Sequence, residues 1–144
     1  LTIKLVEELR ENESGVYGVG ARGSMSKVPY GSYNFSISFP CGPENAEKLT
    51  ESALRELNKM VTNGPEQKDL DKFKEASRLE YKESLKDNRY WMAVLKRQYT
   101  DGVNPEEVFD FEAKLNALTV KELQDVAKKY LAKDKVIGML MPEE

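Results

Sequence analysis

Residues 32–39 read Ser-Tyr-Asn-Phe-Ser-Ile-Ser-Phe, a strict alternation of small polar and large apolar side chains. Successive side chains of a strand point to opposite faces, so this pattern suits a β-strand and is wrong for a helix. Tyr33, Phe35, Ile37 and Phe39 share one face, and Ser32, Asn34, Ser36 and Ser38 share the other. A sheet containing this strand is covered on one side and wet on the other. The polar side reads first as ordinary solvent exposure, with the wall of a water-filled chamber as the alternative.

The cover must come from helices, and the rest of the chain supplies them. Residues 1–10 carry Leu1, Leu5 and Leu9 at spacings of four, one stripe of a short helix. Glu13-Ser14-Gly15 stops it, with Gly15 expected at a positive φ. Residues 16–25 hold Gly18, Gly20 and Gly23 among Val16, Tyr17 and Val19, which predicts an irregular strand. Val28-Pro29-Tyr30-Gly31 is a turn signal leading into the alternating strand.

Beyond Pro40 the periodicity turns helical. Gly42-Pro43-Glu44 opens a helix whose buried stripe is Ala46, Leu49, Ala53, Leu57 and Met60, ended by Asn63-Gly64-Pro65. A second helix spans about residues 66–87, and a third segment from Asn88 carries Tyr90, Trp91 and Tyr99, aromatics that read as core rather than as a ligand box. A short helix bearing Val108, Phe111 and Leu115 follows. Thr119-Val120-Lys121-Glu122 is a capping box that starts the last helix. Residues 136–141 are apolar and predict a closing strand. Three strands and about five helices make an α+β fold, an antiparallel sheet with helices on one face, in a single domain spanning residues 1–144.

Composition removes whole classes of chemistry. There is no histidine and one cysteine, Cys41. A Ser-His-Asp system is therefore impossible, and Cys41, with no imidazole to ionise it, reads as a small half-buried residue at a strand end. Catalytic zinc takes three protein ligands drawn from His, Cys, Asp and Glu, and carboxylates alone suit harder cations. The 22 basic and 25 acidic residues are interspersed and sum to −3, without the basic stripe that a nucleic-acid surface needs. No apolar run reaches the ~18 residues of a membrane span. Gly18-Val19-Gly20 followed by Gly23 spells GxGxxG, but strand-like sequence continues on both sides where a dinucleotide site requires a helix to open. Chain start at Leu1 rather than methionine is read as a cut piece, with any targeting segment upstream. The compartment is left open.

Arg10 and Tyr17 are the polar pair with chemical interest, one on each side of the helix–loop–strand corner. Chemistry alone reads them as an exposed arginine and a core-packed tyrosine. The alternative is a pair of donors, a permanent guanidinium and a phenol, that grip a peptide carbonyl or the oxyanion formed when water attacks it.

The run Leu9-Arg10-Glu11-Asn12-Glu13-Ser14-Gly15-Val16-Tyr17-Gly18-Val19 resembles the C-terminal half of the insulinase/pitrilysin family of zinc metallopeptidases. In that family an arginine near a helix end is followed seven residues later by a tyrosine, with glycine between, as Arg10, Gly15 and Tyr17 are here. Ile37-Ser38-Phe39-Pro40-Cys41-Gly42-Pro43-Glu44-Asn45, Gly64-Pro65, Asn88-Arg89-Tyr90-Trp91 and Leu118-Thr119-Val120-Lys121-Glu122-Leu123 resemble its downstream segments in the same order. The resemblance implies a C-terminal substrate-binding part of a larger peptidase. Zinc would be held by an HxxEH motif in N-terminal domains of the parent, and no metal ligand transfers to this chain, which would be inactive alone. Arg10 and Tyr17 would contact peptide substrate or transition state across a chamber. Complete domains of the family begin with strands ahead of the segment matching Leu1, so an exposed sheet edge and a homodimer are also expected. The competing readings are a non-catalytic scaffold or presequence-recognition subunit of the same fold, and a free-standing helical adaptor.

Overall fold

The computed structural model describes residues 1–27 and 29–142. The chain divides into two compact units, Leu1–Pro65 with Leu123–Glu144, and Glu66–Glu122.

The first unit opens with α1 (Thr2–Leu5), which runs directly into a π-helical stretch, Val6–Asn12. The leucine stripe is real: Leu5 and Leu9 are completely buried. Its strict spacing of four drifts on a helix of 3.6 residues per turn, and the wider π turns, closed by i→i+5 bonds such as Glu13 N–H to Glu8 C=O at 3.0 Å, accommodate it. Two antiparallel strands follow, β1 (Gly20–Ser26) and β2 (Ser32–Ser38), in a register that sets Gly20 opposite Ser38 and Ser26 opposite Ser32. The Thr2 hydroxyl lies 3.3 Å from both the N–H and the C=O of Ala21, tying the first helix to β1. The irregular strand predicted over residues 16–25 therefore begins only at Gly20, and residues 16–19 lead into it. The turn predicted around residues 28–31 lies partly outside the described residues, at Val28.

A 3₁₀ turn (Pro43–Asn45) starts α2 (Ala46–Asn63), which ends at Gly64 with φ 74°. Ala46, Leu49, Ala53 and Leu57 are buried as the stripe predicts, while Met60 is half-buried. Leu49 and Ala53 join Leu5, Leu9 and Val16 in one apolar cluster, with Ile37, Phe39 and Cys41 packed against it. Cys41 is half-buried at the end of the alternating strand, as its surroundings in the sequence suggested. Full burial of a leucine here contributes about 1.5–3 kcal/mol. Tyr33 of β2 meets Tyr130 edge to face at 4.9 Å.

The closing strand expected over residues 136–141 is not formed: the segment makes no ladder, and Val136 and Leu140 are fully exposed. Apolar β-favouring composition states a preference, whereas a strand needs a partner's N–H and C=O groups, and among the described residues the sheet consists of β1 and β2 alone. The fold is nonetheless α+β, with an antiparallel sheet and predominantly helical remainder.

The second unit holds α3 (Gln67–Ser84), α4 (Asn88–Asp101), a 3₁₀ stretch (Pro105–Asp110) and α5 (Phe111–Ala117). Of the aromatics read from sequence as core, Tyr90 and Trp91 are half-buried. Tyr81 stacks on Phe111 at 4.5 Å and donates to Val108 C=O, and the Trp91 indole N–H donates to Leu85 C=O at 2.8 Å. Tyr99, by contrast, is exposed. The capping box forms residue for residue: Glu122 N–H donates to Thr119 Oγ1 (3.2 Å), and Thr119 N–H donates to Glu122 Oε2 (2.9 Å). It starts α6 (Val120–Leu131).

Candidate functional site, a pinned helix–strand corner

Leu9 and Val16 are the buried members of the corner, and both belong to the apolar cluster on α2. Arg10 follows the first and Tyr17 follows the second. Once Leu9 and Val16 are committed inward, the next side chain in each case turns outward. Arg10 is exposed and Tyr17 is 92% exposed. The core-packed alternative for Tyr17 is thus overturned, because Val16 occupies the inward position. Neither side chain has a hydrogen bond, ion pair or ring contact among the described residues, so both donor sets are open to a ligand.

The loop between them is tightly held. The helix end turns at Ser14, which takes φ 50°, and Gly15 N–H donates to Leu9 C=O at 3.0 Å. The positive φ expected at Gly15 has moved one residue upstream. Gly15 is demanded for another reason: a Cβ there would lie 2.6 Å from Leu49 Cδ2 and 2.8 Å from Cδ1. Backbone and leucine touch where any side chain would intervene.

Glu13 completes the corner. Its carboxylate, 12% exposed, accepts a hydrogen bond from the hydroxyl of Ser52, a residue of α2 with no exposure. Lys48 Nζ lies 2.9 Å from Oε2 and Arg55 lies 3.6 Å from Oε1. Oε2 receives no well-directed hydrogen bond, so the Lys48 ammonium serves it as a nearby charge rather than as an aligned donor. Arg55 also donates to Ser52 Oγ (2.8 Å) and reaches Glu8 of the π-helical stretch at 3.8 Å. The hydrogen bond from Ser52, then Lys48 and Arg55, hold the Glu13 carboxyl below its ordinary value of 4.5, against the opposing effect of burial. Glu13 and Ser52 were not singled out from sequence. Ser52 sits on the inward side of α2 beside Ala53, and a hydroxyl at that place on an apolar stripe is the signal that was available.

Among the described residues no group of side chains suits zinc. Histidine is absent, and among the described residues no three carboxylate or thiol side chains converge as a metal would require. The GxGxxG spelling belongs to no nucleotide site either, since β1 continues through Gly23 to Ser26 without a helix opening. A cavity of about 1050 Å³ in the first unit is lined by β2, Tyr130 and residues 133–142. Arg10 and Tyr17 do not line it, so the donor pair and the cavity are separate features.

Residues 2–77 match the Peptidase M16 inactive domain family, more than half of the 144 residues, and the chain belongs to that family. Over 70 residues the chain is 30% identical to an Arabidopsis thaliana protein described as zinc protease PQQL-like, covering 49% of this chain and 7% of that protein. Among solved structures, the periplasmic protease PqqL from Escherichia coli matches with a TM-score of 0.72 at 20% identity, over 91% of this chain and 14% of that one. A protease from Helicobacter pylori matches with a TM-score of 0.70 at 20% identity, over 88% of this chain and 30% of that one. The two structures carry the fold, and the chain spans less than a third of each relative's length. The peptidase-family resemblance read from residues 9–19 is thereby confirmed. No helix among the described residues is long and apolar enough to cross a membrane.

Proposed function

We propose that residues 1–144 act as one C-terminal substrate-binding part of a zinc metallopeptidase. Arg10 and Tyr17 would contact peptide backbone and the oxyanion of the tetrahedral intermediate, while zinc is held by N-terminal domains of the same parent. The zinc would supply a water activated for attack on the peptide carbonyl. This chain's own contribution is electrostatic and positional. The guanidinium offers a forked set of donors without needing a proton balance, and the phenol offers one directed O–H. Donors aimed at developing negative charge stabilise the transition state more than the ground state. The observation that carries the proposal is that each side chain follows directly on a buried member of one core cluster, and that both are exposed and free of internal partners. In the intact parent, Tyr17→Phe and Arg10→Ala are expected to lower kcat by about 10²–10³-fold, the usual cost of losing one oxyanion donor, with zinc content unchanged. Full activity in both variants would refute the assignment.

Among the described residues the sheet has two strands only, which supports a second element of the same proposal, association of two copies of the isolated chain through a sheet edge. Sedimentation at high micromolar concentration should show dimers, and a monomer throughout would remove it.

A further inference from the structure

The hydrogen-bonded cluster beneath the corner has no place in the contacts proposed for Arg10 and Tyr17, yet it lies on the loop between them. Four observations meet there. Glu13 is almost enclosed, and its oxygens are taken by Ser52, Lys48 and Arg55 of α2. Ser52 is completely buried on a helix face whose other buried residues are Ala46, Leu49, Ala53 and Leu57, with Glu56 one turn further on. Gly15 lies against Leu49 so closely that no side chain fits between. The helix end is irregular, with π-type turns, a positive φ at Ser14 and the Gly15–Leu9 bond closing it. An irregular turn of this kind has alternatives close in energy unless its surroundings over-determine it. Apolar contacts from Leu9 and Val16 hold the two ends but set no direction for the loop. A carboxylate with three directed or charged partners on a rigid helix does.

We propose that Glu13, through Ser52, Lys48 and Arg55, is a positioning residue that sets the orientation of the corner bearing Arg10 and Tyr17. It is not a catalytic residue, because its carboxylate is almost enclosed and faces Ser52, Lys48 and Arg55 rather than open surface. The proposal rests on the role given above to Arg10 and Tyr17, but its structural half stands apart from that role. Misplacing a substrate-holding group by about 1 Å can cost ~10²-fold in rate, so a loosened corner should be visible in turnover.

The test uses the full-length parent peptidase with Glu13→Gln, Ser52→Ala, and each combined with the double variant Arg10→Ala/Tyr17→Phe. Steady-state kinetics, zinc content and site-resolved hydrogen exchange are measured on all. Glu13→Gln is expected to lower kcat about ten- to hundred-fold with zinc content unchanged. It should speed exchange of the Glu13 and Gly15 amides while leaving the α2 interior protected. Ser52→Ala, the milder change, should do the same to a smaller degree. In the Arg10→Ala/Tyr17→Phe background, Glu13→Gln should cause no further loss of turnover, since a positioning residue acts only through the groups it positions. If the losses multiply instead, or if Gly15 exchange is unaltered in both Glu13→Gln and Ser52→Ala, the inference is overturned. If Arg10→Ala and Tyr17→Phe are fully active while Gly15 exchange still rises, the substrate role fails and the orienting role of Glu13 in the fold survives. Global loss of α2 protection in Glu13→Gln, repeated in Ser52→Ala, would make the cluster a general stabiliser and would also overturn it.

Discussion

Each of the two units has its own kind of internal cohesion. The first has a contiguous apolar cluster, with Leu5, Leu9, Val16, Leu49 and Ala53 buried and a charged cluster set beside them. In the second, Leu70 and Leu115 are the buried apolar residues among those described, and Phe73, Leu79, Met92 and Tyr99 are exposed. What it lacks in core it partly replaces with side-chain hydrogen bonds, most of them to backbone carbonyls. Lys74 Nζ donates to Asn116 C=O (2.9 Å) and Leu118 C=O (2.7 Å), Arg78 donates to Asn116 Oδ1 (2.9 Å), and Tyr81 and Trp91 donate to Val108 and Leu85. Such bonds each contribute on the order of 0.5–1.5 kcal/mol net, or about 1.5–3 when the donor is charged. They are also open to competition from water where the donor is exposed. The difference teaches where precision is needed: the unit carrying the donor pair is built on close packing, and the other on contacts that tolerate adjustment.

That contrast can be broken most severely at Leu9. Leu9→Ala removes a fully buried side chain from the cluster and should lower local stability of the first unit by about 2–5 kcal/mol. Native-state hydrogen exchange should show protection lost in α1 and α2 and largely retained in α3. Equal loss in both units would mean that they unfold as one and that the contrast is false.

A smaller effect, with a pH signature, is expected at Glu13. Its carboxyl is held below 4.5 in the folded chain, first by the Ser52 hydrogen bond and then by Lys48 and Arg55. A depressed folded-state value means that the stabilisation is fully present above the unfolded value and lost as pH falls through the folded one. The difference in Gly15 amide protection between the native chain and Glu13→Gln, corrected for intrinsic exchange, should therefore be constant above about pH 5.5 and shrink below about pH 4.5. Glu8, Ser52, Lys48 and Arg55 are the groups facing it. A gap that does not narrow in acid would show that charge is not what holds the corner.

The smallest expected change is in the second unit. Lys74→Met keeps the aliphatic stem and removes the two bonds to Asn116 and Leu118; because water competes for this partly exposed donor, the two together fall below the value for enclosed charged bonds, costing about 1–2 kcal/mol in all, confined to α3 and α5. Exchange at the Leu9 and Gly15 positions should be unaltered.

Much of the fold was readable because it follows simple periods. The alternation in residues 32–38 became β2, the stripe from Ala46 to Leu57 became the buried side of α2, and Thr119 with Glu122 capped α6 as written. Local rules failed where the outcome depended on distant groups. Residues 136–141 have strand composition but no ladder partner, which no local pattern reveals. The close approach of Leu49 to Gly15, a contact spanning more than thirty positions in sequence, and the positive φ at Ser14 are likewise set by packing and not by a local pattern. At the candidate site, Arg10 and Tyr17 stood out by spacing and chemistry. Glu13 and Ser52 did not, because a glutamate in a loop and a serine in a helix are ordinary until they are seen to face one another.

The π-helical stretch has a consequence for tolerance to change in length. A wider turn accommodates one residue that an α-helix of equal length would omit. Deleting a single position between Val6 and Asn12 would therefore allow that segment to rewind as a regular helix without breaking it. Residues beyond the deletion would keep nearly their present facing relative to Leu5, because the extra residue is what the wide turn absorbs. The same deletion inside the regular α2 would instead turn every later side chain by about 100° and take its apolar stripe off the core, so the two helices should differ sharply in their tolerance of a lost residue.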